Sequence, residues 1–171
     1  WMWSIQGFGS LPSAVGKGTY SPVFDLCGHR WKLEVYPGGQ KEASKDYVDV
    51  YLFYEGADPA VKVECVTLTL DIINQHTGAS GRGGAWKAAT PYTFVHACSP
   101  NDAPSPIHTH WGVTEFVLRS ELDDPAKGVK VDDTVVFKVT ISVPTAGGKP
   151  THELVAPSAA AASGSVVPAS S

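Results

Sequence analysis

In the stretch TVVFKVTISV (134–143), Phe137, Val139, Ile141 and Val143 recur at every second position, with Lys138, Thr140 and Ser142 between them. A period of two belongs to a strand with one buried and one wet face; a helix would repeat near 3.6. The same alternation puts Trp31, Leu33 and Val35 on one face of RWKLEVY (30–36), and Val48, Val50 and Leu52 on one face of YVDVYLFY (47–54). YSPVFDL (20–26), VKVECVTLTLDII (61–73), PYTFVH (91–96) and GVTEFVL (112–118) are enriched in β-branched and aromatic residues, and SIQGF adds a short N-terminal strand. Between them lie YPGGQ (36–40), EGADP (55–59), GASGRGG (78–84) and SPNDAPSP (99–106), all turn or loop chemistry. Only RSELDDPAKG (119–128) carries a helix signal, with Ser120 placed to cap it and Pro125 to end it. About eight short strands with almost no helix predict an all-β antiparallel sandwich, with a jelly roll as the rival arrangement.

The chain has 171 residues, enough for one domain with its own core. Residues 1–143 are expected to form that domain. Residues 144–171 are expected to be a disordered tail or linker, because from Ala156 onward the sequence holds only Ala, Pro, Ser, Gly and Val. The formal net charge of −4, with no run of Lys or Arg, argues against nucleic acid or an anionic membrane as partner. No window approaches the roughly 18 apolar residues of a membrane span, and no secretory leader pattern opens the chain. Trp1 in first place makes the sequence read as an excerpt of a longer protein. Three widely spaced cysteines, Cys27, Cys65 and Cys98, suit neither a disulfide framework nor a zinc knuckle, so a reducing compartment, cytoplasm or nucleus, is expected.

HTHWGVTEF (108–116) raises the one question of chemistry. His108 and His110 leave the same face of a strand, and with Glu115 they imitate the first metal motif of a cupin jelly roll, which would make the protein a metal-dependent enzyme. The glycines that frame such a motif are missing, since position 102 is Asp and position 122 is Leu. The sole later histidine, His152, lies in a Pro/Gly-rich exit segment, and strand parity sets Glu115 opposite His110. No metal and no cofactor are therefore expected. There is no Gly-x-Ser-x-Gly, no P-loop and no recognisable catalytic carboxylate pair, and GRGG (81–84) lacks the following helix that a phosphate cradle needs. The domain is not expected to be an enzyme.

Five segments in order resemble the MATH (TRAF-like) domains: WSIQGF (3–8), YSPVFDLCGHRWKLEVYPGGQ (20–40), SKDYVDVYL (44–52), WGVTEFVLRSEL (111–122) and VDDTVVFKVTISV (131–143). SELDDPAKG is similar to the members found in ubiquitin-specific proteases, and SKDYVDVYL to the speckle-type POZ ligase adaptors. The resemblance implies an eight-stranded antiparallel β-sandwich that holds short extended peptides and recruits substrates in the ubiquitin pathway, as part of a ligase adaptor or a deubiquitinase. Its partners would be proteins bound through short linear peptides by strand or groove recognition. Carried over by position, the groove would comprise Tyr51, Leu68, Tyr92 and Thr109, His110, Trp111, Gly112 and Val113. His110 and Val113 stand where relatives often carry an acid and an aromatic, so the groove is expected to be shallower and less acidic. No heptad repeat is present, so the isolated domain is expected to be a monomer.

Overall fold

The computed structural model describes residues 1–56, 58, 61–65, 67–88, 92–95 and 110–144. Its strands are β1 (Met2–Gln6), β2 (Thr19–Tyr20), β3 (Phe24–Leu26), β4 (His29–Tyr36), β5 (Tyr47–Tyr54) and β6 (Lys62–Cys65). They continue as β7 (Thr67–Ile72), β8 (Trp86–Lys87), β9 (Tyr92–Val95), β10 (His110–Leu118), β11 (Lys130–Val131) and β12 (Thr134–Ser142). One sheet has the order β1-β12-β7-β8, with β11 paired to the start of β12. The second has the order β10-β5-β4-β2, with β3 also on β4, and β6 with β9 forms a separate ribbon. Every pairing is antiparallel.

The period-two pattern explains why two layers form. Trp31, Leu33 and Val35 of β4, and Val48, Val50 and Leu52 of β5, are at most 1% exposed, as are Phe137 and Val139 of β12. Each sheet buries this apolar row against the other, and the alternate residues face outward. Trp31 anchors the core: its indole donates to the Leu26 carbonyl at 2.9 Å, and its ring packs on Tyr54 and edge-on to Phe94 at 5.1 Å.

The expected eight-stranded all-β sandwich is the observed architecture, with two of its strands divided and the two-residue strands β8 and β11 added. The segment 20–26 divides at Ser21-Pro22, because Pro22 has no N–H for the ladder. Ser21 bridges the gap: its hydroxyl accepts the Leu33 amide at 2.9 Å and donates to the Pro22 carbonyl at 2.7 Å. The helix signal at 119–128 resolves into α1 (Arg119–Asp123) and a 3₁₀ turn at Pro125–Lys127. Ser120 is not its cap: the helix starts from Leu118 without a side-chain cap, and Ser120 lies inside the first turn. Of the expected tail, 144–171, all but Pro144 lies outside the described residues.

Candidate functional site

The outer face of the β5 sheet is built from the positions that alternate with its core row. β4 contributes Lys32, Glu34 and Tyr36, and β5 contributes Asp49, Tyr51 and Phe53. The register sets His110 of β10 opposite Phe53, and Gly112 opposite Tyr51. The rings form a continuous chain across the sheet. Tyr36 meets Tyr51 at 5.9 Å, Tyr51 meets His110 at 5.8 Å, and His110 stacks on Phe53 at 4.7 Å, which meets Tyr20 of β2 at 5.9 Å. The Lys32 ammonium lies 4.6 Å from the Tyr20 ring centre and 5.6 Å from that of Phe53, and pairs with Glu55 at 2.7 Å. Edge-to-face rings and a cation over two ring faces both follow from the quadrupole of aromatic rings.

Two acidic residues underlie this face. Asp49 has no exposed surface and accepts three hydrogen bonds at 2.7 Å, from the Gln40 amide, the Ser44 hydroxyl and the Glu115 amide. Glu34 of β4 is buried too, with its carboxylate against Gly18. The tyrosines carry the electrostatic signature. Burial first, and then the carboxylate of Asp49, pushes the Tyr51 phenol up to about 12. Burial first, and then the neighbouring Glu34 carboxylate, hold Tyr20 well above its ordinary value, and burial likewise raises Tyr36. The Tyr51 hydroxyl donates to Gln40 Oε1 at 3.0 Å, which links the ring back to Asp49 through Gln40.

β10 is an edge: among the described residues it pairs only with β5. Its register slips between Val113 and Val117, where Glu115 takes φ 56°. The Asp49 carboxylate holds that bulge through the Glu115 amide. Gly112 is required by contact, because a Cβ there would overlap the Val50 carbonyl oxygen and the Tyr51 backbone. The result is a shallow depression of ≈ 210 Å³ lined by Tyr51, His110, Trp111 and Gly112.

The residues singled out in the sequence fall into three groups. Tyr51, His110 and Gly112 share the outer face. Trp111 and Val113 turn inward against the core, and Trp111 meets Tyr92 of β9 at 4.0 Å between ring centres, so these two form a neighbouring rim. Leu68 of β7 is 1% exposed and belongs to the core, where it presents no surface to a ligand. Thr109 and His108 lie outside the described residues. The imidazole of His110 is stacked on Phe53, while Glu115 lies beside Asp49, four residue rows further along β5 and about 13 Å away at strand rise. That separation leaves the jelly-roll metal reading without its third member. Among the described residues no three His, Cys, Asp or Glu side chains are grouped to hold a metal. Sequence reasoning missed Glu34, Asp49, Phe53 and Tyr20; for the first three, outward parity from the buried row of β4 and β5 was the available signal.

A second depression, ≈ 350 Å³, lies at the far end of β10 between the 81–83 loop and α1. Arg82 covers the Phe116 ring there at 4.4 Å, and the lining mixes Arg82 and Lys127 with Glu115 and Glu121, so no net charge selects a ligand.

A family model described as MATH domain matches residues 1–141. Ubiquitin C-terminal hydrolase 12 of Arabidopsis thaliana is 27% identical over 144 residues, covering 82% of this chain and 11% of that protein. The probable inactive serine/threonine-protein kinase fnkC of Dictyostelium discoideum is 29% identical over 121 residues, covering 71% of this chain and 8% of that protein. The chain thus spans about a tenth of the length of these relatives. Among solved structures, TRAF5 of Notothenia coriiceps matches 91% of this chain and 76% of its own at 20% identity and a TM-score of 0.49.

Proposed function

The chain belongs to the MATH domain family, a non-catalytic protein-interaction module, and from that premise we propose that it captures short extended peptides along the edge of β10. An added strand is held by main-chain hydrogen bonds, and side-chain contacts select its sequence. Here the edge segment is His110–Val113, and the selecting surface is the outer face beside it, with Tyr51 and His110 at the front. Tyr92 and Trp111 form the rim on the other side of the strand. The observation that carries this reading is the edge itself: among the described residues β10 pairs only with β5, and beside it Tyr51, His110, Trp111 and Gly112 line a shallow depression. The likeness to a ubiquitin C-terminal hydrolase supports a role in recruiting substrates within the ubiquitin pathway, as part of a deubiquitinase or a ligase adaptor. We further propose that the domain acts as a monomer in the cytoplasm or nucleus.

The test is peptide binding to the whole chain, measured by fluorescence anisotropy on an array of extended octapeptides. Trp111→Ala and Tyr92→Ala should each weaken capture at least about tenfold, as loss of an aromatic anchor does. Circular dichroism should still show a folded sandwich. Undiminished binding by both folded variants would sink the assignment.

A further inference from the structure

Resting on the peptide-capture reading, we infer that the depression lined by Tyr51, His110, Trp111 and Gly112 selects a basic side chain, arginine or lysine, of the bound peptide. The outer face of the β5 sheet already holds one cation of its own. At the Tyr20 end, the Lys32 ammonium sits over two rings and is tied to Glu55 at 2.7 Å. At the Tyr51 end, Tyr51 meets Tyr36 on one side and His110 on the other edge-on, and the buried Glu34 of β4 stands opposite Tyr51 in the register. Among the described residues the Lys or Arg seated over rings of this face is Lys32, at the Tyr20 end. Lys32 is already matched by Glu55, so Glu34 and Asp49 leave this part of the face negative, within a chain of formal net charge −4.

Geometry limits which side chain fits. A peptide strand beside β10 would lie about 4.8 Å from it and about 9.6 Å from β5. An extended arginine side chain reaches about 6 Å from its Cα. Gly112, opposite Tyr51, adds no side chain of its own to the depression that the two line with His110 and Trp111. The guanidinium then arrives in that depression, against the exposed His110 ring and the accessible edge of Tyr51. A peptide carboxylate or phosphate on the same path would meet the negative field of Glu34 and Asp49 and be repelled.

The experiment uses the whole 171-residue chain and octapeptides of Ala and Ser in which Arg, its neutral analogue Gln, or Glu is moved through each position. At one position Arg should bind about fivefold more tightly than Gln, and Glu more weakly than either, with the preference shrinking as salt is added. In Glu34→Gln, and in Tyr51→Leu, the Arg-to-Gln affinity ratio should fall toward one. Tyr51→Leu keeps the test intact if Glu34→Gln does not fold. Equal affinity for Arg and Gln, or a preference for Glu or phosphoserine, overturns the basic selection while leaving peptide capture standing. Binding of no peptide at all takes both readings down.

Discussion

Asp49 organises the candidate site without touching its surface. Its carboxylate accepts from the Gln40 amide, the Ser44 hydroxyl and the Glu115 amide, so one buried residue joins the β4–β5 turn, β5 itself and the bulge of β10. Gln40 in turn accepts the Tyr51 hydroxyl. Hydrogen bonds to a charged acceptor contribute more than neutral ones, and a buried donor left facing a donor costs its full desolvation. Asp49→Asn replaces one acceptor oxygen with an NH₂ that must point at one of those donors. The variant should be less stable by about 2–3 kcal/mol, read as a lower urea midpoint at unchanged slope. A midpoint within error of the parent would show that the three donors find water instead.

At the scale of elements, the sequence announced what periodicity controls and concealed what single backbone angles control. The core rows of β4, β5 and β12 were legible because alternation of Trp31, Leu33 and Val35, or of Phe137, Val139 and Ile141, has only one buried solution. The bulge in β10 was not legible. It rests on Glu115 at φ 56°, a conformation no residue type there signals, held by a carboxylate on another strand. The Asp132-Asp133 turn joining β11 to β12 was also hidden: both residues take positive φ, at 47° and 53°. Asp tolerates that region, but in sequence the pair reads only as an acidic doublet. For the site, parity alone put Tyr51 outward, whereas only register could bring His110 and Gly112 to its side. Gly112→Ala tests that register. Its Cβ must push β10 away from the backbone of Val50 and Tyr51, so it should cost about 1–3 kcal/mol and weaken peptide capture together. A variant of parental stability would mean that the two strands are less closely apposed than the contact requires.

Stability against pH is a property of the whole cooperative unit, and here its alkaline limb is set by groups on both sides of the core. Burial pushes the Tyr51 phenol from 10.0 up to about 12, and burial pushes the Cys65 thiol from 9.0 up to about 12. In both the folded state keeps its proton longer than the unfolded chain does. Their contribution to stability is therefore complete below about pH 9, where both states are protonated. Between about pH 9 and 12 the unfolded chain binds fewer protons than the folded one, so stability falls as pH rises. Tyr20 and Tyr36, raised in the same direction, steepen the fall. Thermal midpoints measured from pH 8 to 11 should hold steady at first and then drop. The drop should be shallower in Tyr51→Phe, which keeps the ring, and in Cys65→Ala, each compared with its own midpoint at pH 8. A parental curve that stays flat to pH 11 would mean that these two groups ionise as readily folded as unfolded, and that the aromatic face is wetter and less negative than its geometry requires.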